Sequence, residues 1–253
     1  MYSDYHIHSD LSFDSDEPAI NQVKKAIKLG MKQICFTEHV DIGWNINGET
    51  SLVDIKKYNK TIADLRNQFG NEIEILQGIE VGLTDTNIEE TQEFLDANNF
   101  DYVIASIHEI QGADPYYYTF WEGQKENDLI QQYFEATLRL IPRIRGIDTL
   151  GHLDYITRYA PSKKFNPDEY KNIIAPILEY LIANDIALEI NTSNLAKGNE
   201  QPNPHTTILK WYSELGGQKV VVGSDAHKSE FVGFGFDIAR DLIEKYHLIN
   251  IKH

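Results

Sequence analysis

The chain is 253 residues long, with 42% hydrophobic and 25% charged residues, the balance of an ordinary soluble globular protein. Its formal net charge of −16 repels nucleic acid and membrane surfaces, and no apolar run approaches the roughly 18 residues that a membrane span needs. A single cysteine, Cys35, has no disulfide partner and reads as a plain buried thiol, and no basic-then-apolar leader opens the chain, so a cytoplasmic protein is expected.

Residues 2–7 have the pattern of a first strand, and the stretch Asp4-Tyr5-His6-Ile7-His8 turns two imidazoles the same way, because side chains alternate along a strand. A polar loop through Asp16 leads to a helix that Pro18 opens and Gly30 stops. Residues 33–37 form a short buried strand with Glu38 and His39 at its carboxyl end, followed by a Gly- and Asn-rich loop over 41–51 and a helix over 53–69 ending at Gly70. Strand 73–81 carries Glu80, helix 88–97 follows, and strand 102–107 stops just ahead of His108. The segment 111–127, with Tyr116-Tyr117-Tyr118 and Phe120-Trp121, is too long for a simple connector and is expected to be a lid or pocket wall. Helix 129–144, strand 149–151 before His152 and helix 168–183 come next. Strand 186–191, helix 206–215, strand 220–224 before Asp225 and helix 238–246 complete the order. Seven strands alternating with helices through short connections predict an α/β chain: a parallel sheet closed into one TIM-like (β/α)7 barrel, with residues 1–253 as a single domain.

His6, His8, His39, Glu80, His108, His152, Asp225 and His227 all stand at or just past the carboxyl ends of these strands. In a parallel barrel those ends share one face, where active sites are built. Six of the nine histidines converge there, and burying so many ionisable groups without a compensating cation would cost several kcal/mol per group. Imidazole and carboxylate with no usable thiolate suit Zn, Mn or Fe, and argue against a structural thiolate zinc site. The ligands outnumber what one ion uses, so two or three divalent ions are expected, with a carboxylate such as Glu80 bridging a pair. His205, His247 and His253 fall outside the pattern and read as solvated side chains.

The motifs Asp4-Tyr5-His6-Ile7-His8-Ser9, Thr37-Glu38-His39, Gly78-Ile79-Glu80-Val81, Ser106-Ile107-His108, Gly151-His152-Leu153-Asp154 and Gly223-Ser224-Asp225-Ala226-His227 carry a family resemblance. In that order, from residue 4 to 227, the chain resembles the polymerase-and-histidinol-phosphatase (PHP) superfamily. The resemblance implies a distorted (β/α)7 barrel with a metal cluster on its carboxyl face. It divides the ligands into His6, His8, Glu80 and Asp225 for a first ion, Glu80, His108 and His152 for a second, and Asp14, His39 and His227 for a third. Asp4 is then expected to orient an imidazole. Within the superfamily, Asn191-Thr192-Ser193, Pro202-Asn203-Pro204 and Gly216-Gly217 look like the histidinol-phosphatase branch, which implies hydrolysis of L-histidinol phosphate to L-histidinol and phosphate in histidine biosynthesis. Arg158 matches the basic position expected to hold the phosphate. Where relatives commonly carry a second arginine this chain has Ala196, and the neighbouring Lys197 supplies a point charge but no planar fork.

The implied chemistry is attack on phosphorus by a metal-activated hydroxide, since a metal lowers the pKa of its water toward about 7 and paired ions roughly 3.5–4 Å apart clamp the attacking and leaving oxygens. Arg158 would hold the non-bridging oxygens, with Asp225 or His227 managing the proton. The ammonium and imidazole of the implied substrate ask for acidic and aromatic groups, and Glu109, Trp121 and Tyr117 are the candidates because they follow His108 into the irregular segment. The alternatives are another small phosphate ester (a nucleotide, a phosphotyrosine or a cyclic phosphate) and, from a different class, a non-catalytic metal-binding module. The complete ligand set speaks against the module, and an acidic chain without a basic groove speaks against a polymerase-associated nuclease.

Overall fold

In the computed structural model of the protein, which describes residues 3–46 and 49–251, strands and helices alternate along the chain. Tyr2 of the expected first strand, Asn47 and Gly48 of the expected 41–51 loop, and His253 lie outside the described residues. The first half runs β1 (Ser3–Asp4), α1 (Ala19–Lys28), β2 (Gln33–Ile46), β3 (Glu49–Leu52), α2 (Ile55–Phe69), β4 (Glu74–Gly82), α3 (Ile88–Ala97) and β5 (Tyr102–Ser106). The second half runs α4 (Glu126–Leu140), β6 (Thr149–Leu150), α5 (Lys171–Ala183), β7 (Ala187–Asn191), α6 (Ser193–Ala196), α7 (Thr206–Glu214), β8 (Lys219–Gly223), α8 (Phe236–Lys245) and β9 (Ile249–Asn250).

The sheet order is β1-β2-β4-β5-β6-β7-β8-β9, parallel at every step. The sheet curls until its two ends meet. The Tyr5 N–H donates to the Val222 carbonyl at 3.1 Å, the Asp225 N–H to the His6 carbonyl at 2.7 Å, and the His8 N–H to the Ala226 carbonyl at 3.0 Å. The strands from β1 to β8 without β3 thus make the distorted (β/α)7 TIM-like barrel, and β9 adds two residues at the foot of β8. Within the 41–51 stretch expected as a loop, the described residues are strand instead: β2 runs on to Ile46 and pairs antiparallel with β3. A register shift between Asp41 and Asn45 absorbs the mismatch, and Gly43, at φ +86°, supplies the left-handed residue that such a bulge favours.

Amphipathic spacing explains the outer layer. On α2 the buried residues are Tyr58, Ile62, Leu65 and Phe69, one stripe at helical period, and Asp54 caps the helix by accepting from the N–H groups of Lys56 and Lys57. Inside the barrel the period is two, and the chemistry changes with height. Toward the amino ends of the strands Tyr5, Cys35, Leu76, Tyr102, Ile104 and Val221 form a small apolar plug, and burial pushes the Cys35 thiol well above its usual range. Two or four residues beyond these stand His39, Glu80, Ser106 and Asp225, and β7 adds Glu189 beside His6. The inward face that begins as core therefore ends as a cluster of ionisable groups. No helix among the described residues is long and apolar enough to cross a membrane.

Candidate metal centre

His39 and Glu80 sit side by side as register partners on β2 and β4, inside the strands and not at their tips, because both strands run further than the apolar pattern suggests. His6 and His8 follow β1, His108 follows β5, His152 follows β6, and Asp225 and His227 follow β8. Glu80 lies at the centre. Its Oε1 is 3.0 Å from His152 Nε2 and 3.2 Å from His108 Nε2, while its Oε2 is 3.2 Å from His6 Nε2, 3.4 Å from His8 Nε2 and 3.1 Å from His39 Nδ1. Asp225 Oδ1 is 3.5 Å from His8 Nε2, and Asp14 Oδ2 is 2.9 Å from His227 Nε2 and 3.5 Å from His39 Nε2.

These atoms fit a cation. Donor atoms that share one ion at roughly 2.1 Å stand about 3.0–3.4 Å apart, which is the spacing around Glu80. Several of the same atoms are buried with no hydrogen-bond partner among the described residues: His6 Nε2, His8 Nε2, His39 Nδ1 and Glu80 Oε2. Such orphans are costly unless something else satisfies them. The far nitrogens of three rings are anchored: His6 Nδ1 on Glu189 Oε1 at 2.6 Å, His108 Nδ1 on Asp41 Oδ1 at 2.7 Å, and His227 Nδ1 on the Asp225 carbonyl at 3.0 Å. Each anchor accepts, so each Nδ1 donates, and the opposite Nε2, facing Glu80 or Asp14, is the atom that would bind a cation once its own proton is displaced. Four triads meet the spacing for an ion: His6, His8 and Asp225; His6, Glu80 and His152; His39, Glu80 and His108; His8, His39 and His227.

Charge follows the same map. Burial opposes charge on His6, His39, His108 and His227, but the carboxylates around them overcome it and hold all four above the usual imidazole range. Burial wins at His8 and His152, which fall below that range. Glu80, Asp14 and Asp225 are held ionised against burial by the imidazoles, with Arg158 helping at Asp225.

A cavity of about 510 Å³ opens over the cluster, and Asp14, His39, His108, Arg158, Asp225 and His227 all reach its wall. Arg158 is buried: its Nε donates to Asn203 Oδ1 at 2.6 Å, NH2 to Asn191 Oδ1 at 2.7 Å and NH1 to Asp225 Oδ2 at 3.1 Å. Asp225 takes the left-handed φ of +53°, a conformation that an Asp tolerates at modest cost and that turns the chain sharply between β8 and His227. Tyr117, Ala196 and Lys197 also line the cavity, with Lys197 Nζ 5.6 Å from the centre of the Tyr159 ring at the rim.

Two expected contacts are not made. Glu109 faces away from the centre into a separate cavity of about 370 Å³, because consecutive residues of an extended chain point to opposite sides and His108 takes the inward side. Trp121 is buried beneath the irregular segment, where its indole N–H donates to the Pro115 carbonyl at 2.9 Å, so it packs that segment and does not line the cavity. Asp4 touches no imidazole either. It accepts from the backbone N–H groups of Ser224 at 2.9 Å, Gly233 at 3.0 Å and His6 at 3.4 Å, so it meets His6 by its main chain, and burial pushes its carboxyl up to about 6.

The carboxylates that do orient imidazoles, Glu189 and Asp41, were not singled out from the sequence. Glu189 was visible as an acid in the middle of the apolar strand Ala187-Leu188-Glu189-Ile190, where a buried charge calls for a partner. Asp41 stands two residues beyond His39 on the same face, inside the stretch read as a loop. Its place leaves no room at Gly82, where a Cβ would stand 1.6 Å from Asp41 Oδ1 and 3.1 Å from His108 Nδ1. Gly82→Ala is therefore expected to displace Asp41, to lower Tm by roughly 3–10 °C, and to reduce bound metal. Thermal melts with metal analysis check this, and an unchanged melt would show that the hairpin yields freely.

Residues 4–193 match the model of the PHP domain family. A protein of Clostridium acetobutylicum named “Probable histidinol-phosphatase” is 33% identical over 253 residues, covering 98% of this chain and 95% of its own. The histidinol-phosphatase of Lactococcus lactis subsp. lactis is 34% identical over 245 residues, covering 96% of this chain and 90% of its own. A crystal structure of histidinol phosphate phosphatase from Lactococcus lactis, complexed with zinc, L-histidinol and phosphate, is similar with a TM-score of 0.91 at 31% identity, covering 99% of this chain and 95% of that one.

Proposed function

Because the chain belongs to the PHP domain family and aligns over nearly its whole length with histidinol-phosphatases, we propose that it is a metal-dependent phosphomonoesterase that hydrolyses L-histidinol phosphate to L-histidinol and phosphate. One observation carries this reading. Six imidazoles and the carboxylates of Glu80, Asp14 and Asp225 converge below a cavity whose wall also carries a buried arginine. The whole chain is one PHP domain in this reading, since β8, beyond the residues matched by the family model, closes the barrel against the segment that follows β1.

His6, His8, Asp14, His39, Glu80, His108, His152, Asp225 and His227 would hold two or three divalent ions, with Zn, Mn and Fe the candidates for this donor set. Such ions, when bound, neutralise phosphoryl charge and make water acidic enough to act as a nucleophile near neutral pH. The chain's own part is to place the ester. Arg158, preset by Asn191, Asn203 and Asp225, offers its remaining donors to two non-bridging phosphoryl oxygens. Asp225, held ionised by the imidazoles and Arg158, has no proton to donate at the outset and stands on the cavity wall where it can take, in passing, the proton that water releases on attack. That proton passes to the leaving alkoxide, which departs as L-histidinol. The cavity volume of about 510 Å³ is ample for an ester of this size.

The test is steady-state kinetics on L-histidinol phosphate beside a panel of nucleotide, phosphotyrosine and cyclic phosphate esters, after reconstitution with Zn, Mn and Fe in turn and with metal content measured on each sample. Turnover of L-histidinol phosphate is expected to exceed the panel by at least about tenfold in kcat/KM. Preference for another ester would move the substrate, and absence of turnover with every metal would leave only a binding role.

A further inference from the structure

The cavity wall carries a carboxylate that the hydrolysis does not use. After His108 the chain makes a tight reversal: Gln111 and Gly112 take left-handed φ values of 57° and 72°, and Ile110 and Ala113 form an antiparallel bridge. The reversal delivers Asp114 to the cavity. Its Oδ1 accepts from the Tyr116 N–H at 2.8 Å and from the Tyr155 hydroxyl at 3.4 Å. Among the described residues Oδ2 accepts no hydrogen bond and no cationic side chain pairs with the carboxylate within 4.0 Å. Burial raises its pKa, against the lowering pull of the Tyr116 N–H and of His108.

Its surroundings describe the missing partner. The Tyr155 ring lies 5.0 Å from the His152 ring and 5.6 Å from the His108 ring, centre to centre, so it borders the proposed metal centre. Arg158 stands over that ring, with its guanidinium carbon 5.3 Å from the centroid, and Asp114 meets the same residue at its hydroxyl. Tyr159 and Tyr116 continue the aromatic wall outward, at 5.2 and 5.4 Å from one ring to the next. One side chain thus separates a fixed cation from an unpaired anion. A ligand that is anionic at one end and cationic at the other, with a short carbon chain between, matches both.

We infer that Asp114 receives the ammonium group of the substrate, making this chain selective for phosphate esters that carry an amine a few bonds from phosphorus. The assignment rests on the reading of the site as a phosphomonoesterase, and it deepens that reading. It also gives the carboxylate expected for this purpose a different position, five residues beyond Glu109. The acid serves as a specificity determinant: it binds a part of the substrate remote from the bond that breaks, so its removal costs affinity for the amine-bearing ester and leaves the hydrolytic groups in place.

The competing role is structural, because Asp114 Oδ1 also ties down the turn through Tyr116. Asp114→Asn separates the two. The amide keeps an oxygen acceptor for the Tyr116 N–H and the Tyr155 hydroxyl and removes only the charge. Wild type and D114N, both metal-reconstituted, are compared on L-histidinol phosphate and on its counterpart lacking the amino group. D114N is expected to lower kcat/KM on the amine-bearing ester roughly ten- to hundredfold, mainly through KM, and to change the des-amino ester less than about twofold. Equal losses on both esters, or none on the amine-bearing one, would overturn the assignment. A wild type indifferent to the amine would overturn it too. If the wild type instead prefers amine-bearing esters of another skeleton and D114N erases that preference, Asp114 keeps its role and L-histidinol phosphate loses its own.

Discussion

Replacing Glu80 by Gln is expected to lower kcat roughly a thousandfold and to strip at least one metal ion from each chain, with the far-UV circular dichroism spectrum unchanged. Both oxygens of Glu80 face imidazole nitrogens, five in all, at 3.0–3.4 Å. Glutamine keeps the shape and removes the charge, and its NH2 group has no lone pair to offer a cation. A carboxylate placed to serve cations on both of its oxygens loses its charge, and the several kcal/mol of charge stabilisation it would supply go with it, at about 1.4 kcal/mol for each factor of ten. The Ser106 hydroxyl, which donates to Oε1 at 2.6 Å, still finds an acceptor in the amide oxygen, so the barrel interior keeps its packing. Elemental analysis beside steady-state kinetics decides the matter. A variant with full metal content and activity within tenfold of the wild type would remove Glu80 from the centre of the mechanism.

Metal removal should destabilise the protein by an amount that grows with pH. Without ions, the four imidazoles raised above their usual value stabilise the fold by being protonated between carboxylates. A group whose pKa is raised by folding contributes fully below its unfolded value, near 6.5, and loses that contribution as pH climbs through the folded value. Glu80, Asp14 and Asp225 are lowered by folding, so their contribution is present above the usual carboxylate range and is lost as pH falls through their folded values. On these raised imidazoles the metal-free protein is therefore expected to lose stability as pH climbs past neutral. Ions compete with the same protons for the same nitrogens, so their affinity rises with pH. At free metal near 100 times its dissociation constant the linkage is worth about 2.7 kcal/mol, or roughly 5–11 °C in Tm for a chain of this size. Calorimetry on chelator-treated and metal-loaded protein should show a larger gap in Tm at pH 8 than at pH 6. An equal gap at both would mean that the ions do not displace these protons.

The barrel and most of its charged mouth were legible because two periodicities coincide. Helices such as α2 announce themselves by a stripe of apolar residues, and the strands by short apolar runs that stop at His, Glu or Asp. What escaped lay where local composition misleads. The 41–51 stretch is rich in Gly and Asn, yet its described residues are strand, because β3 supplies the partner that the composition alone would not demand. Asp41 was lost with it. Glu189 was hidden by an expectation that site residues sit at strand ends, whereas β7 carries it at mid-strand, inside the barrel. Asp4 was assigned to an imidazole, but it holds main chain: it accepts from the backbone N–H groups of His6, Ser224 and Gly233. Asp114 could not be placed before Gln111 and Gly112 were known to reverse the chain, and Glu109, next to His108, looked nearer while facing the other way.

The seam where the sheet closes has a consequence in time. Tyr5, His6 and His8 are tied to Val222, Asp225 and Ala226 across the barrel seam, so the centre draws its donors from positions more than two hundred residues apart. During synthesis on a ribosome, Glu80, His108 and His152 emerge long before β8 does, and for that interval the nascent chain holds an acidic, unsealed trough with its first strand unpaired on one side. Closing so long a loop costs chain entropy that only the finished seam returns. The metal centre is therefore complete only once β8 and the segment after it have emerged, and a chain cut short before residue 219 carries most of the donors with nothing to close them into a site.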